Sequence, residues 1–213
     1  MTTVVIDPAS RFRGDSGAIL TELALVMPLL VLLSLGIFEY GFILRNSNVL
    51  ANSVQSAGRT AAQSKNTSTA DLFTLQNFMA TTAKLKNATV TKVIIYNSTV
   101  SGGAPPAACL TASITGSAPH GVNAGGVNCS VYSAADLTPA NLATGNFNCT
   151  ALGVGTPGWD KNWCPLIRDA GLTSQPDYVG VYAVITYTGI TGLLPGKTMT
   201  LTDRAVNRIE PNI

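Results

Sequence analysis

The chain is poor in charge: of its 213 residues, 13 are Lys or Arg and 11 are Asp or Glu. A net charge of +2, scattered along the sequence, forms no basic patch of the kind that holds nucleic acid or an anionic surface. Histidine occurs once, as His120 in Ala-Pro-His-Gly. With no second imidazole to share a metal ion and turn formers on both sides, His120 reads as an exposed turn residue and not as a ligand. The same scarcity argues against a hydrolase. Gly14-Asp15-Ser16-Gly17 copies the letters around a serine-protease nucleophile, but it precedes an apolar helix, and a catalytic triad needs three groups assembled on a folded scaffold. No residue is nominated as catalytic, no metal ligand or cofactor is expected, and the chain is read as a non-enzyme.

What is abundant is apolar residues, and they are concentrated. Mean hydropathy is +0.28, and the stretch AILTELALVMPLLVLLSLGIFEYGFIL, residues 18–44, has a charge-free centre from Leu23 to Phe38. At 1.5 Å per residue, a helix of about 20 residues crosses a hydrocarbon core about 30 Å thick. A secretory signal has a shorter apolar region, about 7 to 15 residues, that ends in a small-residue cleavage site. This run passes instead into Glu39-Tyr40-Gly41 and Arg45, so a retained anchor is expected. Arg11 and Arg13 precede it, which favours a cytoplasmic N-terminus. Pro28 lies inside the span, where it removes one backbone hydrogen bond and is expected to kink the helix.

All four cysteines, Cys109, Cys129, Cys149 and Cys164, follow the apolar run. Their spacing matches neither a paired C-x-x-C zinc site nor a thioredoxin-like redox pair. An even count in a loop-rich region suits two disulfides, which persist in an oxidising compartment, so this part is expected outside the cytoplasm. Three pairings are open. Trp159 and Trp163 are expected to pack around a disulfide at Cys164.

The start of the apolar run has a distinctive layout: a short charged leader, Gly17, Ala18, and Glu22 at the fifth position of the helix. This layout resembles type IV pilin-like precursors. In that class a membrane aspartic peptidase cuts after the glycine, which makes Gly17–Ala18 the candidate scissile bond and Ala18 the candidate mature N-terminus. A carboxylate inside an apolar segment costs about 2.5 to 3.5 kcal/mol and usually marks a function or a partner. Two roles are open to Glu22: pairing with the free ammonium at Ala18 of a neighbouring subunit, or lying among headgroups and favouring the helix N-terminus.

Beyond Arg45 the sequence NSNVLANSVQSAGRTAAQ keeps helical spacing at Val49, Leu50, Val54 and Ala61, so the anchor helix is expected to continue to about residue 63. Gly58 and the run Ser64 to Thr69 suggest where it stops. Thr69 is an N-cap candidate for a second helix over about residues 70–86, with an apolar stripe at Leu72, Leu75, Phe78, Met79 and Leu85. Strands are expected at about residues 89–97, 178–188 and 197–209, where β-branched residues gather. Between Cys109 and Cys164, Gly, Asn, Pro and Ser predict loops with short strands. The last two strands are expected to form an antiparallel hairpin on the second helix.

The stretch GAILTELALVMPLLVLLSLGIFEYGFILRNSNVLANSVQSAGRTAAQ resembles the TadE-like domain of tight-adherence (Flp) pilus systems, in the TadE/TadG-like family. The resemblance lies in the order of features: charged leader, Gly, small-residue and acid start, Leu-rich span with an internal Pro, acid-aromatic-Gly triplet, and an Asn/Ala/Arg-rich helix. The C-terminal stretch from Gln175, ending in Arg208-Ile209-Glu210-Pro211, looks like the family's closing strands. Residues 98–169 match no pattern.

The resemblance implies an α+β protein with one N-terminal transmembrane helix that continues into a long helix and a small extracytoplasmic pilin-like domain. The organisation expected is a cytoplasmic leader at residues 1–17, a span at 18–44 and the outer domain at 45–213. The implied role is that of a minor pilin, pseudopilin or pilus-assembly protein in the bacterial inner membrane. Its implied partners are membrane lipid, a prepilin peptidase, other pilin-like subunits and the system's inner-membrane assembly proteins. The rival reading is a membrane-tethered binding or adhesin domain that is not processed as a pilin.

Overall fold

A computed structural model describes residues 16–99, 102–116, 118–149, 158–171, 175–192 and 197–211. The leader up to residue 15, including Arg11, Arg13, Gly14 and Asp15, lies outside the described residues. The chain divides into two units, Met1–Gly41 and Phe42–Ile213.

The first helix, α1, runs unbroken over Ser16–Gln63. It passes through Pro28, as a membrane helix can when neighbouring groups re-satisfy the freed carbonyl. It also passes through Gly58 and ends at Gln63, so Gly58 is not a stop. A Cβ at Gly58 would lie 2.5 Å from the Asn207 amide nitrogen. Close packing accounts for the glycine.

The second helix, α2, covers Ala70–Thr82, four residues short of the end expected at 86. The competitor is Asn46 of α1, fully buried. Its Nδ2 donates to the Lys86 carbonyl at 2.8 Å, and its Oδ1 accepts from the Lys86 N–H at 3.0 Å. Lys86 therefore has its main-chain groups committed elsewhere, and Asn87 turns the chain with a positive φ of 51°. Thr69 occupies the N-cap position of α2 without a side-chain cap bond. Its carbonyl accepts from Phe73 N–H, as Thr67 O does from Ala70 N–H.

Among the described residues, five strands form one antiparallel sheet: β1 Ala88–Ser98, β2 His120–Ala124, β3 Val127–Ser133, β4 Tyr178–Thr188 and β5 Thr198–Arg208. Their spatial order is β2-β3-β1-β4-β5. β4 and β5 pair over their full lengths as an antiparallel hairpin. β2 and β3 are joined by Gly125-Gly126, both at positive φ, the backbone that a two-residue hairpin turn requires. A short helix, α3, Ala107–Thr111, precedes β2.

The sheet is apolar on both faces. On one, Leu50, Val54, Ala57 and Ala61 of α1 and Leu72, Leu75 and Phe78 of α2 share a core with Val93, Ile95, Val181, Ala183 and Ile185. Each Leu, Val, Ile or Phe side chain among them contributes about 1.5 to 3 kcal/mol on burial. On the other face Ile94, Tyr96, Val131 and the Cys109–Cys129 pair form a second cluster. Tyr96 lies flat over Gly180, whose missing Cβ would sit 2.2 Å from the ring, and its hydroxyl donates to Gly103 O at 2.7 Å. Substitution Gly180→Ala is therefore expected to displace the ring and lower stability by about 1 to 3 kcal/mol. Thermal unfolding of the detergent-solubilised chain, followed by near-UV circular dichroism, measures this.

Candidate functional site

Gly17 and Ala18 lie at the start of the described part of α1, Ser16–Gln63. The Thr21 hydroxyl donates back to the Ala18 carbonyl at 2.8 Å. Cutting the Gly17–Ala18 bond would need this turn opened, and helix ends fray readily. Glu22 shares one face of the helix with Ile19, Leu23 and Val26, spaced as i, i+3, i+4 and i+7. From Ile19 to Phe38 every large apolar side chain is exposed, so the surface around Glu22 is hydrocarbon on all sides of the helix. Ser34 within this stretch donates to the Leu30 carbonyl, which keeps its hydroxyl satisfied inside the helix. Among the described residues, α1 is the one helix long and apolar enough to cross a membrane.

The disulfides are Cys109–Cys129 and Cys149–Cys164. The first ties α3 to β3; the second closes the segment that leads into the 3₁₀ turns Lys161–Trp163 and Pro165–Ile167. Trp163 is buried, and its ring is covered by the Arg168 guanidinium at 4.1 Å. Trp159 meets Phe147 edge to face at 5.9 Å.

Arg168 belongs to a buried ionic cluster that the sequence did not announce. Its Nη2 lies 2.6 Å from Asp71 Oδ1, with neither side chain exposed, and donates to Trp163 O at 2.9 Å. Tyr132 donates to Asp71 Oδ2 at 3.1 Å. Burial raises the Asp71 carboxyl above its ordinary value, opposed by Arg168 and Tyr132. Asp160, also fully buried, accepts the Cys149 N–H at 3.3 Å. Burial, reinforced by the Asp71 charge, pushes its pKa up to about 7. The groups face one another and not solvent, which suits holding the Arg168 segment onto α2 and β3. One signal was available: Asp71, Leu75, Phe78 and Thr82 fall on one helical stripe. A carboxylate on an apolar stripe needs a buried cation.

His120 is not an exposed turn residue. It is 7% exposed at the start of β2, with Nε2 3.8 Å from Asp136 Oδ2. Asp136 in turn accepts from the Ser133 N–H and hydroxyl. Among the described residues no three His, Cys, Asp or Glu side chains converge as a metal site.

An apolar N-terminal helix followed by an antiparallel α+β fold with two disulfides fits membrane anchoring. Residues 17–59 match the family model described as TadE-like protein. The match does not reach the C-terminal stretch from Gln175. No curated protein and no solved structure matches the chain.

Two predictions concern the ionic cluster. Asp71→Asn leaves Arg168 buried without its counter-charge and is expected to cost about 3 to 5 kcal/mol, whereas Asp71→Leu combined with Arg168→Met costs much less. Urea unfolding of the three proteins separates these outcomes. The raised Asp160 pKa means that the folded state holds a proton which the unfolded state releases at lower pH. Its stabilising effect is complete below about 4, the unfolded value, and is lost as pH rises towards about 7. Asp160→Asn is expected to flatten stability across that window.

Proposed function

We propose that the protein is a TadE-like minor pilin or pseudopilin, or a membrane-anchored assembly subunit, of a tight-adherence pilus system. The observation that carries this reading is the family match over residues 17–59, on a helix whose large side chains from Ile19 to Phe38 are all exposed. A helix apolar on every side belongs in lipid or among other apolar helices. The first half of α1 spans the bacterial inner membrane with the leader in the cytoplasm. The Phe42–Ile213 unit, which carries both disulfides, lies in the oxidising periplasm or at the cell surface. Its action is structural and non-catalytic.

In this reading a prepilin peptidase removes the leader after Gly17, leaving the ammonium of Ala18. In a bundle with other pilin-like subunits, that ammonium meets Glu22 of a neighbour and offsets the cost of placing a carboxylate in hydrocarbon. Subunits enter in register because one buried charge has one partner. The further partners are membrane lipid and the inner-membrane assembly proteins of the system.

The experiment is complementation of a deletion strain with Glu22→Ala. Membrane levels of the variant are expected to stay near normal while surface pili are lost. Normal piliation by electron microscopy would reject the pairing role.

A further inference from the structure

β5 is an edge strand, the last in the sheet order. It pairs with β4 along its whole length without a register shift. The ends of this ladder fix which backbone groups point where. The Gly189 N–H donates to Lys197 O, and the Ile209 N–H donates to Asp177 O. Counting inward in steps of two from both ends, residues 199, 201, 203, 205 and 207 bond to β4. The N–H and C=O groups of Thr198, Thr200, Thr202, Arg204, Val206 and Arg208 therefore point away from the sheet.

Natural edges are commonly blunted by brevity, proline or a bulge. The opposite edge, β2, is five residues long. β5 has eleven residues, no proline and no bulge. Among the described residues, one outward N–H of β5 has a partner: Arg204 donates to the Asp203 carboxylate at 2.7 Å.

α1 stands beside this edge, brought close by Gly58 against Ala205 and Asn207. Between them is a cleft of about 250 Å³, lined by Gln55, Arg59, Arg204, Ala205, Val206 and Asn207. Two of these residues are arginines and none is acidic.

We propose that the β5 edge accepts an added strand from an extended, acidic segment of a partner polypeptide. The incoming backbone bonds the outward groups of β5, its carbonyl replacing Asp203 at the Arg204 N–H. Directly opposed residues share a sheet face, so a carboxylate opposite Arg204 pairs with it on the face away from α1. An adjacent carboxylate points to the other face, towards Arg59. A second copy is the poorer occupant. The outward residues of β5 share one face and include Arg204 and Arg208 but no acid, so pairing of two β5 strands would gather like charges on that face.

The test uses the full chain in detergent micelles and a short fluorescein-labelled Thr/Val peptide with two adjacent central glutamates, compared with its glutamine counterpart. The glutamate peptide is expected to bind and to slow hydrogen exchange at the amides of Thr200, Thr202 and Val206. Arg59→Glu with Arg204→Glu should weaken it by at least about tenfold. Thr202→Pro, which removes an outward N–H but no bond to β4, should do the same. Unchanged exchange of β4 amides shows that each variant remains folded; if the double variant fails that control, Arg204→Gln takes its place. Equal affinity for the glutamine peptide, or no slowing at those amides, overturns the proposal. So does protection of the same amides in peptide-free protein as it self-associates.

Discussion

A backbone in hydrocarbon must satisfy its own N–H and C=O groups, because no water is present to do so. A single span meets that demand only as a helix. α1 is helical throughout Ser16–Gln63, and Thr21 and Ser34 return their hydroxyls to carbonyls of the same helix. The side chains then change along one continuous element. Up to Phe38 the large apolar groups face outward. From Asn46 onward the helix carries buried groups on one face: Asn46 pins Lys86, and Leu50, Val54, Ala57 and Ala61 enter the core. The folded unit Phe42–Ile213 is therefore built around the second half of the helix that the family match covers.

That unit joins a five-stranded sheet to a long irregular region, and it needs other means to hold the latter. The two disulfides close loops of 20 and 15 residues, each contributing about 3 kcal/mol through loop-closure entropy. Phe147 and Trp163 extend the α1–α2 core into the irregular region. The Asp71–Arg168 pair fixes how that region meets α2. A buried ion pair adds little net stability against an apolar replacement. Its effect here is geometric: Asp71 accepts Arg168 and Tyr132 together and admits one docking of the segment.

Legibility in the sequence followed periodicity. The apolar run, the β-branched stretches of β1, β4 and β5 and the stripe of α2 each repeat often enough to be read along the chain. β2 and β3 were not placed, although Gly125-Gly126 between two Val- and Asn-bearing runs is a hairpin signal. Their short length and the surrounding Gly and Asn hid it. The end of α2 was misplaced because Asn46, forty residues away, takes the Lys86 main chain. His120 was read from turn formers on either side, whereas its burial depends on the Ser133–Asp136 turn. At the end of α2 and at His120 a long-range contact overrode the local pattern, which sequence distance alone does not reveal. The candidate scissile bond and Glu22 were nominated by resemblance, and residues up to 15 lie outside the described structure.

Leader processing decides whether α1 acts as a pilin-like helix or as a fixed tether. The most direct measurement is the N-terminal mass of the protein recovered from membranes of its native cells, with and without the prepilin peptidase. A mature chain that begins at Ala18 only when the peptidase is present is the outcome expected of a pilin-like helix. An intact leader under both conditions would contradict it.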